Sequence, residues 1–333
     1  MEVKKQKRLL SGLQPSGELT IGNYCGGIRQ FLAYQEKYES FLFVPDMHTL
    51  TVPQRDPAMI MERTKRFATL YIACGLDTKK CTFFIQSEVP AHNQLAWILE
   101  CNTYIGELNR MTQYKDKSSK FKNIGCGLFT YPVLMAADVL LYDTDIVPVG
   151  ADQKQHVELI RDIAQRFNNK YGNVFTIPEP IIAKIGSKIK DLQHPIKKMS
   201  KSAVDPNGSI FLLDDEKTIR EKINKSVTDS DGKVWFDEEK KPGISNLITI
   251  YATLSKISLD LAIESLEGTE RYGDLKKKVF EVVWSTLQPI QKEYKRIKTS
   301  GYVDEILNAG KEYANEIAMR KYDTIRKIVG LGR

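Results

Sequence analysis

Hydrophobic positions in the first 90 residues alternate between short continuous runs and helical spacing. Residues 7–13 read as a strand ending at the turn residues Pro15-Ser16-Gly17, and the apolar positions that follow, Ile21, Tyr24, Ile28, Phe31 and Leu32, recur as on a helix. Phe41-Leu42-Phe43-Val44 is a buried-strand signal, residues 56–75 return to helical spacing and stop at Gly75, and Thr82-Phe83-Phe84-Ile85 is a third buried run. Strand–helix–strand–helix–strand predicts parallel pairing through right-handed crossovers, hence a doubly wound α/β sheet.

Residues 91–126 break this rhythm. They open with a helical stretch around Trp97, Ile98 and Leu99, then turn polar and basic through Lys115, Lys117, Lys120 and Lys122, which reads as an insertion between two halves of the sheet. The rhythm resumes with an apolar stretch at 131–142, predicted as a buried helix, a strand at 145–150 and an amphipathic helix at 153–167. Residues 184–209 are rich in Lys, Ser, Gly and Pro and read as a mobile loop at a domain boundary. Helices separated by Gly and Pro follow, at 248–254, 259–266, 275–287 and 303–328. The expected architecture is a doubly wound, parallel, Rossmann-type domain at 1–203 with an inserted segment at about 91–130, and a helical domain at 204–333.

Composition narrows the class. Hydrophobic residues make up 42% of the 333, enough for a large core, and no apolar run nears the roughly 20 residues that span a bilayer. The charged N-terminus is unlike a signal peptide, so the expectation is the cytoplasm, with no membrane partner. Five cysteines, none paired as C-x-x-C, argue against a disulfide framework or a zinc or iron–sulfur site and for cytosolic thiols in or near the core. The net charge is +7, and residues 205–333, with 22 basic and 22 acidic side chains, contribute none of it. Basic excess in the first part suits a polyanion, weakly by itself.

Two segments carry chemistry. In Pro15-Ser16-Gly17-Glu18-Leu19-Thr20-Ile21-Gly22-Asn23, a glycine-bearing turn enters a helix, offering backbone N–H groups to phosphate, while Gly22 admits close approach. Thr20 and Asn23 share a helix face; the structural alternative is an ordinary turn with Ser16 as cap. In Lys198-Met199-Ser200-Lys201-Ser202, two lysines can reach one polyphosphate and neutralise charge on departing pyrophosphate; the alternative is a solvated basic linker. Asp138 stands between Ala137 and Val139 in an apolar helix, where a carboxylate needs a donor. An indole N–H, a donor only, would serve, as would an internal cap or ion pair. Met135, three residues earlier, suits an aromatic ring; Val147 and Val149 alternate on the next strand as pocket wall or core.

Thr20-Ile21-Gly22-Asn23 and Lys198-Met199-Ser200-Lys201-Ser202 together resemble the two signatures of class I aminoacyl-tRNA synthetases. Thr and Asn, where that class usually has His, are variants of the bacterial tryptophanyl branch; tyrosyl enzymes usually keep the histidines. Ser11-Gly12-Leu13-Gln14-Pro15-Ser16-Gly17, Asp46-Met47-His48-Thr49-Leu50-Thr51, Ile85-Gln86-Ser87-Glu88-Val89-Pro90 and Gly106-Glu107-Leu108-Asn109-Arg110-Met111-Thr112 are similar to the same branch. So are Met135-Ala136-Ala137-Asp138-Val139-Leu140-Leu141-Tyr142, Asp145-Ile146-Val147-Pro148-Val149-Gly150, Asp152-Gln153-Lys154-Gln155-His156 and Pro242-Gly243-Ile244-Ser245-Asn246-Leu247.

The resemblance implies activation of L-tryptophan with Mg2+ and ATP, then transfer to tRNA(Trp). It implies ATP contacts at Gln14, Pro15, Ser16, Gly22, Asn23, Gly150, Ala151, Asp152 and Ile189 and at Lys198, Met199, Ser200, Lys201 and Ser202. Thr20, Asn23, Lys117, Lys198 and Lys201 would be catalytic, Lys117 having a solvated surface role as its alternative. Asp138, Met135, Val147 and Val149 would hold the indole, Tyr131 and Gln153 the ammonium group, and His48 would lie near the pocket or serve as a strand-end hydrogen bonder. A homodimer joined through the insertion is implied, with tRNA bridging subunits, its anticodon read by the helical domain, and no DNA partner. Two departures are Ala151, where an acidic residue is usual, and Leu10, where Phe is common. A tyrosyl enzyme or a nucleotidylyltransferase are the competing readings.

Overall fold

In the computed structural model, which describes residues 6–12, 14–15, 17–51, 56–150, 153–182, 189–200, 205–269 and 271–333, the apolar runs form one parallel sheet. Its strands are β1 (Arg8–Gly12), β2 (Glu39–Val44), β3 (Cys81–Ile85), β4 (Ile146–Val149) and β5 (Glu179–Ile182), in the order β3-β2-β1-β4-β5. Short helices α1 (Ile21–Asn23) and α2 (Arg29–Tyr34), with a π turn at Tyr24–Ile28 between them, lie along the chain between β1 and β2. Helix α3 (Pro57–Ala73) leads to β3; α4 (Ala91–Glu100), α5 (Ile105–Asn109), α6 (Thr112–Ser118) and α7 (Cys126–Leu140) lead to β4; α8 (Lys154–Tyr171) leads to β5. Strand β2 is buried from Ser40 to Val44, as expected of a parallel strand covered on both faces. The doubly wound reading of the sequence holds.

Strand β5 had no signal in the sequence. It is a four-residue edge strand with exposed ends and Pro180 within it, so it lacks the apolar run that marks a central strand. The chain order reverses between β1 and β4, which pair only at Leu9 and Ile146. Pro148, which has no N–H to donate, lies beyond that pairing. Ligands of open parallel sheets enter at such a reversal, outside the carboxyl ends of the strands, here Gly12 and Val149.

The chain forms two compact units that do not follow the expected boundary at 203/204. The first comprises residues 1–15, 31–182 and 300–333. It includes α13 (Tyr302–Ile328), whose helical pattern alone places it with the helices at 204–333. Ala314, Ala318 and Ile325 of α13 are buried in the sheet's core, and a Cβ at Gly310 would come within 1.8 Å of the Phe83 carbonyl oxygen. Only a glycine lets the helix lie that close to β3; helical periodicity alone could not name the partner. Helix α4 also belongs to this core: Ala91, His92, Leu95 and Leu99 are buried with Val133 and Ala136 of α7. The insertion read at 91–126 is therefore in part scaffold, while Trp97, Tyr104, Ile105 and Ile124 are exposed. The predicted buried helix at 131–142 starts earlier, at Cys126, and carries Pro132 inside it.

The second unit comprises residues 16–30 and 183–299, built on α9 (Glu216–Asn224), α10 (Pro242–Ser255), α11 (Leu259–Ser265) and α12 (Tyr272–Ile297). The segment before α1 joins it by backbone bonds: Ile21 N–H donates to Ile210 O at 3.0 Å and Leu212 N–H to Leu19 O at 2.8 Å. No single helix among the described residues is long and apolar enough to cross a membrane. Cys25, Cys74 and Cys81 are buried thiols pushed above their ordinary range by burial, whereas Cys101 and Cys126 are exposed.

Candidate active site

Asp138 is 1% exposed near the end of α7, and its carboxylate accepts four hydrogen bonds from three side chains. Gln86 Nε2 reaches both oxygens, at 2.7 and 2.9 Å; His92 Nδ1 lies 2.6 Å from Oδ1 and His48 Nε2 3.0 Å from Oδ2. Burial alone would raise the carboxyl, but the bonds from His48 and His92 outweigh it and bring it down to about 2. The site is thus an anion, acceptor only.

Each partner is placed by the end of an element. His48 sits on the 3-10 turn Met47–Thr51 after β2, and Gln86 on the turn Gln86–Glu88 after β3. Gln86 Oε1 accepts from Met47 N–H at 3.2 Å, which fixes the amide so that its nitrogen must face Asp138. His92 lies on the buried face of α4, its Nε2 2.8 Å from Tyr142 Oη. Of the expected pocket residues, Met135 is half-buried against the core, and Val147 and Val149 are buried in it. Tyr131 Oη lies 2.8 Å from His156 Nε2, its phenol pushed up to about 12 by burial. Gln153 caps α8, its N–H donating to Gly150 O at 2.9 Å. Lys117 is half-buried with Nζ 5.0 Å from the Tyr131 ring centre, and burial, then Lys120, lowers its pKa; this is not a solvated surface lysine.

Three of the chain's four histidines, His48, His92 and His156, gather in this one region. Only His48 was singled out in the sequence. Gln86, His92 and Tyr142 were missed as functional groups. The available signals were a glutamine just past an apolar strand and a histidine on the apolar face Ala91, Leu95, Leu99.

The nucleotide-type residues of the second unit are built differently. Thr20 is the helix cap: Thr20 Oγ1 accepts from Asn23 N–H at 3.3 Å and Asn23 Oδ1 from Thr20 N–H at 3.0 Å. Thr20 is fully buried, and the box uses the carbonyl oxygen of the Asn23 amide, not its nitrogen. A Cβ on Gly22 would meet Thr20 Oγ1 at 3.4 Å and Met199 Cβ at 3.6 Å, ordinary contacts. Within the loop expected at 184–209, residues 189–200 are anchored: Ile189, Leu192 and Met199 are buried, Lys190 bridges to Lys198, and Met199 N–H donates to Ile189 O at 3.1 Å, while 184–188 and 201–204 lie outside the described residues. Asn246 grips both backbone groups of Lys190, accepting at 2.8 Å and donating at 3.0 Å. Ile189 and Met199 therefore present no side chain outward, while Lys198 and Ser200 are exposed. In the first unit, Gln14, Pro15 and Gly150 follow the two strand ends at the reversal point. Ser16, Ala151, Asp152, Lys201 and Ser202 lie outside the described residues. Among the described residues no group of three or more His, Cys, Asp or Glu converges as a metal site.

A parallel sheet reversed beside β1, a capped Gly-Asn turn and a Lys-Met-Ser hairpin define a class, and the family of tRNA synthetases class I (W and Y) matches residues 1–288. A curated tryptophan–tRNA ligase of Caldanaerobacter subterraneus subsp. tengcongensis is 52% identical over 325 residues, 98% of each chain. The solved tryptophanyl-tRNA synthetase of Mycoplasma pneumoniae superposes with a TM-score of 0.88 at 36% identity, covering 98% of both chains. That of Campylobacter jejuni, solved with ADP and tryptophan, gives 0.84 at 37% identity over 97% of this chain and 100% of that one. The chain belongs to this class I family and, within it, to the tryptophan–tRNA ligases.

Proposed function

We propose that the chain activates L-tryptophan with Mg·ATP and transfers it to tRNA(Trp), with Asp138 as the acceptor that recognises the indole N–H. The observation that carries this is the buried, ionised, acceptor-only carboxylate on a helix with Met135 one turn earlier. It suits a ligand whose one polar side-chain atom is a donor. All four acceptor positions are taken here, and His48, 14% exposed, is the partner an incoming indole replaces. Tyr131 and Gln153 hold the ammonium group.

The tryptophan carboxylate attacks the α-phosphorus of ATP in line, pyrophosphate leaves, and the adenylate stays bound. A ribose hydroxyl at the tRNA 3′ end then attacks the acyl carbon and AMP leaves. No covalent enzyme intermediate is needed, so the residues act by position and charge. Thr20 and Asn23 shape the turn that accepts ATP, the Asn23 amide nitrogen donating to a phosphate oxygen. Lys198 and Lys201 meet the charge on the departing pyrophosphate, joined by Lys117. Gln14, Pro15 and Gly150 contact ATP by virtue of their place at the strand ends, and Ala151 and Asp152 are assigned to the same contact by resemblance. Ile189 and Met199 act as anchors of the hairpin. Mg2+ arrives on the ATP phosphates. The enzyme works in the cytoplasm as a homodimer through the exposed apolar residues of α4 and the turn after it, and the α9–α12 unit reads the anticodon.

Pyrophosphate exchange across the twenty amino acids tests the reading. Tryptophan alone should support rapid exchange; exchange with tyrosine instead overturns it.

A further inference from the structure

The tryptophan reading uses Asp138 but leaves unexplained why a histidine and a tyrosine are buried behind it. His92 has no exposed surface, and its ring is boxed by Phe43, Phe84 and Tyr142, with centroids 6.2, 6.1 and 5.6 Å away. Both ring nitrogens are engaged: Nδ1 with Asp138 Oδ1 at 2.6 Å, Nε2 with Tyr142 Oη at 2.8 Å. Tyr142 is also fully buried, between Phe41 at 5.1 Å and Phe84 at 5.6 Å. A phenol in so apolar a place stays protonated and needs an acceptor. If its O–H donates to Nε2, that nitrogen carries no proton, and Nδ1 must carry it. The chain of bonds then runs one way: Tyr142 O–H to Nε2, and Nδ1–H to Asp138 Oδ1. Gln86, fixed by Met47 N–H, lies across both oxygens, so the carboxylate can neither rotate nor gain a proton from behind. The oxygen left facing a partner that is not fully buried is Oδ2, which meets the half-buried His48.

We propose that His92 is a specificity-positioning residue: held in its Nδ1–H form by Tyr142, it fixes the Asp138 carboxylate so that Oδ2 is presented to the indole N–H. This rests on the reading of Asp138 as the indole acceptor. It assigns roles to two residues that touch no ligand.

The test uses the full-length protein and two ligands, tryptophan and its analogue with sulfur in place of the indole nitrogen, compared by kcat/KM in pyrophosphate exchange. Tyr142→Phe removes one oxygen from the ring. It should lower the preference for tryptophan about 5-fold, through a raised KM for tryptophan with kcat and the analogue nearly unchanged. His92→Leu should lower it as far as Asp138→Ala does, and His92→Asn, whose amide nitrogen can stand where Nδ1 stood, should recover most of it. Imidazole 15N spectra, with only four histidines to assign, should show the His92 proton on Nδ1 and none on Nε2 in the native protein, and an altered pattern in Tyr142→Phe. Equal loss for both ligands in Tyr142→Phe, no recovery in His92→Asn, or a proton on Nε2 in the native protein overturns the proposal. If Asp138→Ala itself keeps the tryptophan preference, the reading of Asp138 has failed. If Asp138→Ala erases it while His92→Leu, still folded by its thermal melt, does not, only the role of His92 has failed.

Discussion

The surroundings of Asp138 and the hairpin carrying Lys198 solve opposite problems. Around Asp138, polar side chains from the ends of β2 and β3 and from α4 and α7 are buried and paired with one another. Around Lys198, what is buried is apolar, Ile189, Leu192 and Met199, and the polar work of holding the hairpin falls to backbone groups and Asn246, with the lysine left in water. The difference follows from the ligand each region would take. Distinguishing one N–H in an otherwise apolar side chain requires a dry, oriented acceptor, because rejection of a wrong ligand comes from leaving that acceptor unpaired. Gripping a polyphosphate requires charge on a fixed backbone; burying that charge beforehand would cost more than it returned.

The comparison is broken most directly at the hairpin. Lys198→Ala should lower the rate of adenylate formation about 10²- to 10³-fold, the usual cost of removing one group that stabilises transition-state charge. Tryptophan affinity should hold, since Met199 and Asn246 keep the backbone in place. Single-turnover kinetics separate the two, and an unchanged chemical step would contradict the assignment.

At the pocket the expected effect is smaller and lies in selectivity. Asp138→Ala should erase most of the preference for tryptophan over its sulfur analogue, about 10- to 150-fold for a hydrogen bond to a charged group, and Asp138→Asn should be intermediate. Equal weakening of both ligands would make Asp138 a structural ion-pair partner. The same carboxyl predicts an acid response. Its folded value of about 2 lies below the ordinary 3.8, so its contribution to stability is present above pH 4 and is lost as pH falls from there towards 2. The thermal melts of native protein and Asp138→Asn should therefore differ above pH 4 and draw together below it; a constant gap would mean that the charge is not what stabilises.

The same contrast explains what the sequence disclosed. The hairpin and the capped turn are contiguous motifs, so short windows were enough to find them. The pocket is assembled from positions 48, 86, 92, 138 and 142; of these Asp138 was conspicuous as a carboxylate within an apolar run, and His48 was named only through the family resemblance. His92 and Tyr142 carry no such signal, because each is polar at one or two atoms only, and the partner that satisfies those atoms is distant in sequence. Strands β1 to β4 were legible as apolar runs. Strand β5 and the seating of α13 were not, since an edge strand needs no such run and a helix pattern does not name the surface it covers.

Gly22 gives the smallest effect and tests whether the capped turn serves a ligand or only the fold. The glycine is not required by the protein: a Cβ there would make ordinary contacts with Thr20 and Met199, and its backbone is not left-handed. If folding were the sole concern, alanine would be the better residue, stabilising by about 0.4–1 kcal/mol through the entropy of the unfolded chain. Keeping glycine is intelligible if a nucleotide must pass close to the backbone. Gly22→Ala should therefore move two quantities in opposite directions. The melting temperature should stay level or rise by a few degrees, while KM for ATP in pyrophosphate exchange rises several-fold and KM for tryptophan does not. A drop in stability with unaltered ATP kinetics would show that the glycine is there for packing, and the Thr20–Asn23 box would then be a helix start with no part in nucleotide binding.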